Sequence, residues 1–186
     1  MAVVNSKSAN ITNYDAQPRV LTSGYIAGSN DTTGVGVVAA AATDSIGSTY
    51  RFGFIPSGVR LDDIQIKNDA TTAGVWQLGV YCNTQQGGVF TTAGVPANAA
   101  AGAVPVANAN LIFGTGISTA AAQTTWKSIC APTILNGAYT AANETLRVWE
   151  LLGLSVDPFY EFHLVLTATT APTAAGSIAL RWSWLR

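Results

Sequence analysis

The sequence predicts an all-β protein, an antiparallel β-sandwich of seven or eight short strands, and three observations carry that expectation. Apolar and polar residues alternate at period two in several separate stretches, as in strands with one face buried. Turn residues punctuate the chain at intervals of roughly 8–12 residues, the spacing of sandwich strands. Small residues dominate: 30 Ala, 22 Thr and 18 Gly fill 70 of 186 positions. Such residues let sheets approach closely and leave few long side chains to clothe a solvent-facing helix.

Residues 1–18 are polar and patternless up to Pro18 and read as an extended arm that orders on a partner. The remainder, 19–186, reads as one sandwich domain. Arg19 to Ile26 is expected as a strand. Tyr50-Arg51-Phe52-Gly53-Phe54 sets three aromatics at period two, and Pro56-Ser57-Gly58 supplies a tight turn. Val59 to Lys67 follows as a strand whose apolar phase slips across Asp62-Asp63, the mark of a β-bulge. From Val75 to Cys82, Trp76, Leu78, Val80 and Cys82 point one way, and Gly87-Gly88 marks a turn.

Residues 91–125 are rich in Ala, Gly, Pro, Asn and Thr. The interspersed Gly and Pro predict loops and short strands rather than helix, and a contact surface is expected there. Trp126 to Ile129 resumes as a strand. One helix of two to three turns is expected around Leu146–Leu154, with Asn143 as N-cap, Glu144 at its start and Gly153 at its C-cap. Leu146, Trp149 and Leu152 would form its buried face. A hairpin is expected to close the chain. In its first strand Tyr160, Phe162, Leu164 and Leu166 oppose Glu161, His163, Val165 and Thr167. In its second, Ile178, Leu180, Trp182 and Trp184 oppose Ala179, Arg181 and Ser183. The pentapeptide Thr71-Thr72-Ala73-Gly74-Val75 recurs at 91–95, and Thr32-Thr33-Gly34-Val35 is close to it. Two exact copies do not make a repeat architecture, and they read as turns that enter strands.

Charge narrows the function classes. Only 10% of residues are charged and the formal net charge is −1. No basic footprint for nucleic acid or an anionic membrane exists. Low charge is a liability in a free monomer and acceptable in an assembly subunit, whose surface its neighbours cover. Cys82 and Cys130 stand 48 positions apart, without metal-ligand spacing, and read as buried free thiols, with a disulfide between them as the alternative. Met1 to Lys7 lacks the basic start and apolar run of a secretion signal, and no apolar run reaches the ~18 residues of a membrane helix. Synthesis in a reducing cytoplasm is expected.

No stretch reads as chemistry, and no catalytic residue, cofactor or metal is expected. His163 is the single histidine. It lies opposite the apolar face of its strand, which reads as a solvent-facing or interface position. Asp62, Asp63 and Asp69 could offer oxygens to calcium, but neighbours on a strand point to opposite faces. They read instead as bulge or turn acids paired with Arg60 or Lys67. No GxSxG elbow and no phosphate-cradling glycine loop occur. Trp182 and Trp184 share one face and form either core or an interface wall. With His163 and with Arg181 on the opposite face, they are the candidate interface residues.

The segment Trp149-Glu150-Leu151-Leu152-Gly153-Leu154, followed by Thr167-Ala168-Thr169-Thr170 and Thr173-Ala174-Ala175-Gly176, resembles the C-terminal part of capsid cement (decoration) proteins of tailed bacteriophages, the Bbp16-like family. The resemblance covers 143–186 and, more loosely, 50–82. It implies a jelly-roll subunit, commonly a homotrimer, made in the host bacterial cytoplasm and bound outside the icosahedral shell. There it would bridge neighbouring major capsid proteins at threefold or quasi-threefold positions. The aromatic-heavy final strand and the Ala-rich middle depart from that pattern. The competing expectation is a trimeric receptor- or glycan-binding head module, also a β-sandwich. It requires an exposed Trp/Tyr platform flanked by Asn or Asp.

Overall fold

The computed structural model describes residues 3–8, 31–71, 73–81, 89–90, 96–97, 116–129, 145–152, 154, 156–159 and 161–185, and among them it has eleven strands and one helical turn. The strands are β1 (Asn5–Lys7), β2 (Asp31–Ala40), β3 (Thr49–Pro56), β4 (Arg60–Asn68), β5 (Val75–Tyr81), β6 (Val89–Phe90), β7 (Pro96–Ala97), β8 (Ile117–Ser118), β9 (Gln123–Ser128), β10 (Glu161–Thr170) and β11 (Gly176–Leu185). The helical turn α1 spans Val148–Leu151. The expected strand at Arg19–Ile26, the Gly87-Gly88 turn, the caps Asn143 and Gly153, both cysteines and the second pentapeptide copy lie outside the described residues.

One sheet has the order β1-β3-β10-β5-β8 and the other β2-β11-β4-β9, while β6 and β7 pair separately. The chain changes sheet at each step from β1 to β5 and again from β8 to β11, and only β5 and β8 are successive partners in one sheet. The facing orders β2-β11-β4-β9 and β3-β10-β5-β8 form a jelly roll. All ladders among these eight strands are antiparallel. Strand β1 adds in parallel at the β3 edge, Asn5 beside Thr49 and Lys7 beside Arg51. The start of the expected arm is thus docked on the domain.

Two local expectations are corrected by this topology. Strands β10 and β11 do not form a hairpin: β10 lies between β3 and β5, and β11 between β2 and β4. Residues 171–175 arch from one sheet to the other, with the N–H groups of Thr173 and Ala174 donating to the Thr71 carbonyl. The Pro56-Ser57-Gly58 turn also crosses between sheets. Thr71–Gly74 does lead into β5 as expected, whereas Thr32–Val35 lies inside β2.

The core fills the gap between the sheets. Trp76, Leu78 and Val80 of β5 and Phe162, Leu164 and Leu166 of β10 face Ile64 and Ile66 of β4 and Ile178, Leu180, Trp182 and Trp184 of β11, all nearly or wholly buried. Tyr50 and Trp76 meet edge to face at 4.9 Å. The bulge expected at Asp62-Asp63 is present, because the β11 register steps from Ser183–Asp63 to Trp184–Leu61. A second bulge at Phe52 turns Arg51 and Phe54 to the outer face of the five-stranded sheet. The expected run of three aromatics on one face is therefore broken.

The helix is shorter than expected, and its buried face differs. Val148 and Leu152 are fully buried, while Trp149 is only partly so. The N–H groups of Val148 and Trp149 donate to the carbonyls of Val59 and Ser57 at 2.9 and 3.1 Å, and Arg147 bridges to Arg60. The segment enters as a strand-like bridge and can complete only one turn before Leu152 is driven into the core.

Candidate contact surfaces

The four residues singled out from the sequence fall in different places. Trp182 and Trp184 belong to the core of the chain and are 3% and 2% exposed, so they take the core reading and form no interface wall. Trp182 crosses the sandwich: its Nε1 donates to the Phe54 carbonyl of the opposite sheet at 3.2 Å. Two glycines give its ring room. A Cβ at Gly34 would stand 2.3 Å from ring carbons, and one at Gly53 2.4 Å.

His163 points outward from its sheet, as alternation requires, yet it is fully buried. The solvent-facing or interface expectation is corrected. Arg51 Nη1 sits 2.7 Å from His163 Nδ1, Phe54 packs edge on at 4.9 Å, and the Arg51 guanidinium lies over Tyr81. Burial, with the nearby charges of Arg51 and Lys7, pushes the His163 pKa down to about 3. The ring is therefore neutral and accepts at Nδ1 from Arg51. It is a structural group in a buried polar cluster.

Arg181 alone of the four is exposed, on the outer face of the four-stranded sheet. Its Nε donates to Gln65 Oε1 at 3.1 Å and its guanidinium lies 4.9 Å over the Trp126 ring. The neighbouring acids bind hydroxyls and amides rather than Arg60 or Lys67. Asp62 accepts from Ser183 Oγ, Asp63 from Gln65 and Ser128, and Asp69 from the Ser177 N–H.

This outer face is unusual for a sheet side turned to water. The outward residues of β2 after Asp31 and Thr32, namely Thr33, Val35, Val37 and Ala39, are exposed and uncharged, with Val35 at 44% and Val37 at 53%. Val35 and Val37 form one wall of a shallow trough of about 430 Å³, whose other walls include Lys67, Asp69, Trp126 and Ala179. Solvent-facing strand positions ordinarily carry polar residues, so this strip is the candidate contact surface.

No protein family and no curated protein sequence matches the chain. Among solved structures, a chain in the "Capsid of Ralstonia phage GP4" aligns over 97% of this chain and 96% of that one, with TM-score 0.57 and 10% identity. The fold is shared with a chain of a phage capsid. A chain of the "Cyanophage Pam1 capsid asymmetric unit" aligns more loosely, with TM-score 0.46 and 14% identity, over 92% of this chain and 95% of that one.

Among the described residues the most exposed large hydrophobic side chain is one that the sequence did not single out. Phe159 is 88% exposed and its φ is +51°, a backbone conformation rare for a bulky residue. Asp157 fixes the loop, because its Oδ1 accepts from Ser57 Oγ at 2.5 Å and from the Phe159 N–H at 2.8 Å. The sequence signal was the Asp-Pro-Phe order, in which Asp caps the backbone two residues on. The tryptophans, by contrast, make no shared platform. Trp76, Trp182 and Trp184 are buried, and the partly buried Trp126 and Trp149 lie on different elements.

Proposed function

We propose that the chain is a structural subunit of a tailed-phage head, a cement or decoration protein that binds the outside of the shell and braces contacts between major capsid proteins. The observation that carries this reading is the end-to-end alignment with a chain of a phage capsid. It agrees with the resemblance of the C-terminal segment to cement proteins. The uncharged outward strip of β2 supports it, because a surface destined to be covered needs little charge. Reinforcement is mechanical: a subunit touching several shell proteins adds buried area, and a trimer multiplies the gain by engaging several sites at once.

The test is made on the phage whose genome encodes the chain. Antibody to the chain should label the head surface of intact virions. Heads assembled without it should release DNA at a lower temperature, and added purified protein should restore the wild-type value. Labelling confined to tail structures, or heads indifferent to the loss, would overturn the reading.

A further inference from the structure

The exposed Phe159 loop and the apolar trough lie at opposite ends of the molecule. Asp157, which holds the loop, is bonded to Ser57 in the turn before β4, and the trough is walled by Lys67 and Asp69 at the end of β4. Nine residues of extended strand separate them, roughly 25 Å at the usual rise. The loop of one chain therefore cannot fill the trough of that same chain.

The two surfaces are complementary in shape and charge. Phe159, 88% exposed on a loop that Asp157 ties to its own backbone N–H and to Ser57, is an apolar knob. The trough is a shallow recess with room for an aromatic side chain, and Val35, Val37, Trp126 and Ala179 are among its lining residues. From Val148 to Phe162 the only charged residues are Glu150, Asp157 and Glu161, all acidic. The trough is lined by Lys67 and has Arg181 over its Trp126 wall. Its one acid, Asp69, already accepts from the Ser177 N–H.

We infer that the Phe159 knob of one copy seats in the Val35/Val37/Trp126 trough of the next, joining copies of this chain head to tail. Such a heterologous contact closes into a ring when the rotation between copies permits. Three copies suit a threefold shell position, and on that point the inference rests on the cement reading.

The first test is the mass of the full chain in solution, by size-exclusion chromatography with light scattering over a range of concentrations. Wild type should form a closed oligomer. Phe159→Gly, which also relieves the backbone strain and so leaves folding intact, and Val37→Asp should each raise the concentration for half-assembly at least tenfold. In a second test Phe159→Cys and Val37→Cys are made in separate chains that also carry Cys82→Ser and Cys130→Ser. Mixed under mild oxidation they should yield a disulfide-linked pair of chains, and neither should do so alone.

Wild type that stays monomeric, or assembly indifferent to both substitutions, would overturn the inference. A monomer that still restores heat resistance to heads would sink this contact and leave the cement reading standing. A ring that never binds heads would do the reverse.

Discussion

Trp182 shows how one side chain sets the requirements for its neighbours. Its ring spans from Gly34 beside it in its own sheet to Gly53 of the opposite sheet, and neither position has room for a methyl group. Gly53→Ala should therefore cost about 1–3 kcal/mol, the usual range for overpacking a tight core. Denaturant unfolding measures it, and the cost should shrink when Trp182 is replaced by Leu. An equal cost in both backgrounds would show that the strain lies elsewhere. His163 yields a prediction in pH. Its folded pKa of about 3 lies below the ordinary 6.5, so on acidification the unfolded chain takes up this proton first. The stability it confers is complete above about pH 6.5, declines by up to about 1.4 kcal/mol per pH unit below that, and levels off near pH 3. His163→Gln removes this titration while offering Arg51 another acceptor. The stability gap between wild type and H163Q should narrow as the pH falls from 6.5 to 4. A gap constant over that range would mean that the imidazole is not held neutral by the fold.

At the scale of elements, the docking of α1 depends on which residues reach the core. Leu152 is fully buried, so Leu152→Ala should cost about 2–5 kcal/mol. Trp149→Phe should change stability little, since the buried Nε1 has no hydrogen-bond partner among the described residues and its removal breaks no bond. Thermal melts of the two variants rank them, and a larger loss for Trp149→Phe would contradict the docking described. The same elements mark what local sequence conveys. Strands β4, β5, β10 and β11 are legible because their inward positions are large and apolar at period two. Strand β2 is not, because its inward positions include Gly34 and Gly36 while its outward ones include Val35 and Val37, the reverse of the usual pattern. Gly36 faces the Phe52 carbonyl so closely that a Cβ would come within 2.3 Å of it. Nor can a short polar turn reveal whether the chain returns in the same sheet or crosses to the other. That choice is made by partners far away in sequence, as when β11 pairs with Asp31–Ala40. His163 was placed on the correct face, but outward did not mean exposed once Arg51, Phe54 and Tyr81 packed around it.

For the whole molecule, the decisive quantity is the scarcity of charge. With 10% charged residues and a net charge of −1, long-range attraction to a shell is weak. Uncharged surface offers dispersion and burial instead, and these are not screened by salt. Exposed ion pairs contribute about 0–1 kcal/mol each, and screening shortens from about 10 Å at 0.1 M salt to about 3 Å at 1 M. Attachment to heads should therefore survive a rise from 0.1 to 1 M sodium chloride with less than a tenfold loss of affinity, about 1.4 kcal/mol. Co-sedimentation of purified protein with heads assembled without it measures this directly. A loss of tenfold or more would assign attachment to the few Lys, Arg, Asp and Glu side chains rather than to uncharged surface. The shell contact would then have to be sought around exposed charges such as Arg60, Asp62 and Lys127.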